Sequence, residues 1–155
     1  MNRRTFVLRG AGLALVGFSG RWTTALAAAS KPKAITIYKS STCGCCAKWV
    51  DHVRSAGFET TVHDMENMDE IKDQLGVPQA VRSCHTALVG AYLIEGHVPA
   101  PDIKRLLAQR IKTMGLAVPG MPAGTPGMAQ EGEPVKNFNV VAFQRDGETR
   151  TFARY

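Results

Sequence analysis

The chain has 155 residues, room for one domain of ordinary size and not comfortably for two. Its 19 basic and 13 acidic side chains give a formal charge of +6. The excess sits at the start, where Arg3, Arg4, Arg9 and Arg21 precede Ala27 and no acid does, so the chain beyond Ala27 carries only +2. No stripe of Lys and Arg with interleaved aromatics is left there, which removes the case for a nucleic-acid partner.

Residues 1–27 read as an export signal. Arg3-Arg4-Thr5-Phe6-Val7-Leu8 leads into an apolar, small-residue run over Gly10–Phe18, and Ala25-Leu26-Ala27 supplies a small-residue cleavage pattern. The apolar part is too short for a confident membrane span. The paired arginines resemble a twin-arginine address. A periplasmic location follows, with no membrane attachment once the signal is removed and residues 28–155 as the working domain.

Ala34–Tyr38 is rich in β-branched and aromatic residues and predicts a first strand. Lys39–Thr42 is a turn. A helix is predicted from about Cys45 to Ala56, with Cys46, Trp49, Val50 and Val53 on its apolar stripe and Gly57 just past its end. Phe58–Asp64 alternates apolar and polar residues and predicts a second strand. Asn67, with Glu70 three residues on, is a helix-start pattern, and the helix that follows is expected to bury Met68, Ile71 and Leu75 and to stop at Gly76. Thr86–Val89 and Tyr92–Glu95 flank Gly90-Ala91 and predict a hairpin with a type II′ turn. Pro99–Ile111 predicts a third helix with Ile103, Leu106 and Leu107 inward. The order β-α-β-α-β-β-α gives an α/β, thioredoxin-like arrangement: a parallel core with the hairpin as an antiparallel edge. Residues 114–155 form an extension. Gly115–Gly127, with Pro119, Pro122 and Pro126, reads as a constrained loop, and the Asp146-Gly147 turn closes a hairpin of Phe138–Gln144 and Glu148–Ala153.

Chemistry concentrates at Cys43-Gly44-Cys45-Cys46, at the turn from first strand to first helix. A helix N-terminus favours thiolate, and thiolate is both a nucleophile and a soft-metal ligand. The fourth thiol, Cys84, opens the third strand, where a thioredoxin-like fold usually sets a proline against the dithiol. One distant sulfur is thus expected to converge on three local ones. Four thiolates can hold one soft ion or bridge several Cu(I) ions; zinc is the alternative. His85 joins as a ligand only if the backbone is irregular there, since a regular strand would turn it to the opposite face. His97 reads as a turn residue before the third helix. Met121, beside the Pro/Gly loop, offers a soft thioether, or packs under that loop with Met128. Two further readings stay open: a thiol–disulfide oxidoreductase using Cys43 and Cys46, and a structural domain with Cys43–Cys46 and Cys45–Cys84 disulfides or zinc.

From Ile35 to about Met128 the chain resembles the CopG-type periplasmic copper-resistance family, long labelled a domain of unknown function. The resemblance rests on Tyr38-Lys39-Ser40-Ser41-Thr42-Cys43-Gly44-Cys45-Cys46, Ser83-Cys84-His85-Thr86-Ala87, Ile94-Glu95-Gly96-His97-Val98-Pro99 and Gly115-Leu116-Ala117-Val118-Pro119-Gly120-Met121-Pro122. The family commonly has Pro at the position of Ser41 and Ser at that of Thr125; neither departure falls on a proposed ligand. The resemblance implies a thioredoxin-like fold, copper held by Cys43, Cys45, Cys46 and Cys84 in a multinuclear cluster, a copper redox activity, and a role in copper tolerance alongside periplasmic copper-handling proteins. Whether the protein turns over as an enzyme is left open by the resemblance.

Overall fold

The computed structural model describes residues 33–130 and 132–155. The expected export signal and its cleavage pattern, residues 1–27, lie outside the described residues. Among the described residues no helix is long and apolar enough to cross a membrane.

The fold is α/β. Strand β1 (Lys33–Lys39) leads to helix α1 (Gly44–Ser55), then β2 (Phe58–Asp64), α2 (Met68–Leu75), a 3-10 turn at Gln79–Val81, β3 (Thr86–Val89), β4 (Tyr92–Glu95) and α3 (Ala100–Gln109). Three further strands follow: β5 (Gly115–Ala117), β6 (Asn139–Phe143) and β7 (Thr149–Arg154). The predicted order β-α-β-α-β-β-α is therefore present. All seven strands form one sheet in the order β2-β1-β3-β4-β5-β6-β7. β1 runs parallel to β2 and antiparallel to β3.

Two expectations are corrected. The β3–β4 hairpin is not an edge, because β4 pairs in parallel with β5, which carries β6 and β7 beyond it. The stretch after Met114 is accordingly not all loop. Gly115 lets β5 approach β4: a Cβ there would lie 1.9 Å from the Leu93 carbonyl oxygen. Three residues within a Gly/Pro-rich stretch have no periodicity to announce a strand; pairing with the sheet makes them one.

Local signals account for the element ends. Asn67 Oδ1 accepts the Asp69 and Glu70 N–H groups at 3.1 and 3.4 Å, capping α2. Gly90 takes the positive φ of 59° that the first position of a type II′ turn requires. The sheet is covered on both faces. One apolar cluster joins Ile35, Ile37, Ala87, Val89, Ile94 and Leu116 to Trp49, Val50 and Val53 of α1 and Ile103 and Leu106 of α3. A smaller one, Val77, Val81, Leu93, Ala117 and Phe143 with Leu75, occupies the α2 side. Burial of each large aliphatic side chain in these clusters contributes about 1.5–3 kcal/mol.

Helix α2 departs from expectation in what it buries. Met68, Ile71 and Leu75 are half-buried, and the fully enclosed residue is Lys72, 3% exposed. A carboxylate inside the sheet, Glu95, accepts its ammonium.

Candidate metal centre

β1 ends at Lys39, and the turn through Ser40–Thr42 brings Cys43 to the N-cap of α1 with Cys45 and Cys46 in its first turn. Cys46 is fully buried because it lies on the stripe with Trp49, Val50 and Val53, whereas Cys43 and Cys45 are half-buried. Cys84 arrives from the segment before β3. The four sulfurs all lie within 4.8 Å of one another. Two thiolates on one ion can be at most about 4.6 Å apart when each bond is about 2.3 Å, so the set is close to ligating distance. Cys43 and Cys46 are joined as a disulfide, while Cys45 and Cys84 are free. Cys45 Sγ is 3.4 Å from Cys43 Sγ. In this oxidised form the helix-start thiolates are not available as a set of three, and the second bridge of the all-disulfide alternative is not formed.

Two histidines share the site. Regular pairing of β3 stops at Thr86, and Ser83 instead bridges in parallel to Gly120. The backbone between is irregular, so Cys84 and His85 do not alternate: His85 Nδ1 lies 3.3 Å from Cys84 Sγ. His85 is fully buried, its ring centroid 4.3 Å from that of Trp49 and 5.1 Å from that of His97. Its Nε2 has no hydrogen-bond partner among the described residues. His97, expected to be a turn residue, is 1% exposed, with Nε2 3.0 Å from Cys84 Sγ. Its Nδ1 is 2.7 Å from the Pro126 carbonyl, which can only accept, so Nδ1 carries the proton and Nε2 keeps its lone pair toward the sulfur. Cys46, Cys84, His85 and His97 make a second convergent set with ligand atoms within 4.8 Å.

The electrostatics favour neutral donors. Burial, reinforced by His97, Lys72 and Lys39, holds His85 well below the usual histidine range. Burial lowers His97 too, opposed by its bond to Pro126. Both imidazoles are therefore neutral at pH 7, the form that ligates a metal. Burial, and then Cys45, pushes the Cys84 thiol up to about 11. It stays protonated at neutral pH, and a metal bound at the sulfur would have to displace that proton.

Met121 sits next to Gly120, whose backbone pairs with the Cys84 arm, but its side chain is 57% exposed. The expectation that it packs under the loop does not hold for it; Met128 is half-buried. Sequence reasoning missed His97. Its signal was the Glu95-Gly96-His97 run, quoted for the resemblance and read only as a turn.

The chemistry open to this donor set is soft-metal binding and dithiol–disulfide exchange. Residues 81–128, the span from Cys84 past Met121, match a family described as "Protein of unknown function, DUF411". No curated protein matches the chain. Two solved structures, titled copper resistance protein CopG form 1 and form 2, are 41% and 40% identical to it. Each comparison covers 80% of this chain and 98% of the other, with a TM-score of 0.73. At that identity over nearly the whole of those relatives, the chain belongs to the family of the copper resistance protein CopG.

Proposed function

We propose that this is an exported copper-binding protein of copper tolerance, holding Cu(I) through Cys43, Cys45, Cys46 and Cys84. The observation that carries the reading is the convergence of Cys84, 38 positions beyond Cys46, on the three sulfurs of the helix start. Thiolate suits Cu(I) above harder ions, and crowded thiolates can bridge several of them. His85 and His97 add neutral nitrogen donors at the rim. Met121 is an exposed thioether beside it, available to a copper ion in transit. Residues 28–155 act as one metal-binding domain, and the arginine-led segment before them is the address for export to the periplasm.

The Cys43–Cys46 pair also supports a redox role. Oxidation of the two thiols to the disulfide releases two protons and two electrons, enough to reduce two Cu(II) to two Cu(I). Thiol–disulfide exchange with a protein substrate is the second reading, favoured by that same disulfide across a Cys-x-x-Cys spacing.

Anaerobic titration of the fully reduced protein with Cu(I), read by native mass spectrometry, tests the first reading. At least one copper per chain is expected to stay bound against a soft competitor. Cys84→Ser should weaken that binding by on the order of a hundredfold, no less than the cost of losing an outer-sphere partner. Undiminished binding by Cys84→Ser would remove the basis of the proposal. Rapid metal-free reduction of a disulfide-bonded protein, abolished by Cys46→Ser, would favour the second reading.

A further inference from the structure

The sheet interior holds an ion pair that the metal centre does not use. Lys72 of α2 and Glu95 at the end of β4 are 3% and 0% exposed, and Lys72 Nζ donates to Glu95 Oε1. Stability alone does not account for it, because an apolar pair of similar volume is often equally or more stabilising than a buried salt bridge. The hydrogen bonds around the carboxylate are more specific. Oε1 also accepts the Ser83 N–H at 2.7 Å, and Oε2 accepts the Thr86 hydroxyl at 2.6 Å. Thr86 Oγ1 in turn accepts from Lys72 Nζ at 2.9 Å. One side chain therefore holds the Ser83 N–H and the Thr86 hydroxyl, on either side of Cys84-His85.

The register shows why a side chain is needed there. The β3–β4 pairing ends with Thr86 opposite Glu95, and one more main-chain bond follows, from Gly96 N to His85 O. The Ser83 N–H then has a carboxylate for its acceptor in place of a strand carbonyl. A buried N–H left without an acceptor is costly, and a regular strand would turn Cys84 and His85 to opposite faces. On the far side Ser83 Oγ donates to the Gly120 carbonyl. Gly96 lies so close that a Cβ there would be 2.8 Å from the Val118 carbonyl oxygen.

We propose that Glu95, held by Lys72, is a positioning residue: its carboxylate replaces the missing strand partner across residues 83–86 and fixes the irregular step that turns Cys84 and His85 to the same rim. What Cys84 is held for rests on the copper reading, but the clamp itself does not need the metal. The acceptor and its reach matter; the charge does not. A neutral amide in a neutral pocket should serve, and an aliphatic chain should not.

The test compares two charge-free variants of the metal-free protein, Lys72→Met/Glu95→Gln and Lys72→Met/Glu95→Leu. The readout is the rate of Cys84 alkylation relative to Cys45 in the same molecule, by peptide mass mapping. The Gln variant keeps an acceptor for Ser83 N–H and should stay within about twofold of the parent ratio. The Leu variant should raise it roughly tenfold, the scale set by one lost buried hydrogen bond. A purely structural role would shift both unfolding midpoints and leave the ratio alone. Equal ratios in the parent and both variants overturn the proposal, whether or not the parent binds copper. Should the Leu variant fail to unfold cooperatively, Thr86→Val decides: it removes the hydroxyl that orients the carboxylate, and an unchanged ratio there overturns the clamp.

Discussion

Gly127 marks how tightly the Pro/Gly loop closes on the candidate metal centre. Its φ is +88°, and a Cβ there would lie 2.8 Å from the Cys45 carbonyl oxygen, 2.9 Å from Trp49 N and 3.3 Å from His97 Nδ1. Two of these are backbone atoms of α1, which cannot swing aside as a flexible side chain would. Gly127→Ala is expected to destabilise the fold by about 2–3 kcal/mol, combining overpacking with an unfavourable φ. It should also lift the Pro126 carbonyl from His97, freeing that ring to change tautomer. Urea unfolding measures the first effect; a loss within about 0.5 kcal/mol of zero, the range of ordinary surface changes, would show that the approach is not tight. The convergence of the four sulfurs was legible in the sequence, because three thiols crowded within four residues are hard to explain otherwise and the strand order brings Cys84 to the same rim. His97 was not. What makes it a candidate donor is a carbonyl 29 positions later in the chain, and no local pattern encodes that tether. His85 was legible only conditionally, since the clamp that breaks the strand alternation involves Glu95 and Lys72, distant residues with ordinary surface chemistry.

Helix α1 meets the start of α3 through side-chain–backbone bonds rather than apolar packing alone. Trp49 Nε1 donates to the Val98 carbonyl at 2.9 Å, and His52 Nε2 accepts the Ala100 N–H at 3.0 Å, serving an unpaired donor of the first turn of α3. That acceptance requires a neutral imidazole. Burial, then the proximity of His97, lowers the His52 pKa below the ordinary 6.5. The unfolded chain thus takes up a proton before the folded one does, and the stability this group contributes is whole above pH 6.5 and lost as pH falls from there toward the folded value. His52→Ala should cost about 1 kcal/mol at pH 8, as the loss of a helix cap does, and progressively less toward pH 5. The difference between parent and variant denaturation midpoints across that range is the measurement, because groups that titrate independently of His52 drop out of it. A difference independent of pH would count against the bond. The elements themselves were largely readable. Alternation marked β2, the Asn67 pattern marked α2, and the Gly90-Ala91 pair marked the hairpin. Lys72 ran against the reading because helical periodicity has no way to favour a lysine as the inward residue when its partner lies on a strand.

At the scale of the molecule, the C-terminal hairpin is part of the sheet that carries the site. β6 supplies Val140, Ala142 and Phe143, between 0% and 4% exposed, to both apolar clusters, and it pairs along β5. β5 in turn holds the far side of β4, where Glu95 ends the strand opposite Thr86. The segment after β5 bridges Ser83 through Gly120 and reaches His97 through Pro126. The chain beyond residue 114 therefore closes the core and braces two of the site's arms, which a thioredoxin-like reading limited to the first seven elements would not require. A chain ending at residue 130 keeps every candidate ligand yet loses β6 and β7, leaving β5 unpaired on one edge and the inner faces of Leu116 and Ala117 uncovered. It is expected to lose cooperative unfolding, since removing several fully buried side chains at about 1.5–3 kcal/mol each approaches the whole stability of a domain this size. Thermal unfolding by circular dichroism and the Cu(I) stoichiometry of the shortened chain test this together. A sharp transition with parental copper content would mean that the first seven elements suffice and that the hairpin is an accessory to a domain complete without it.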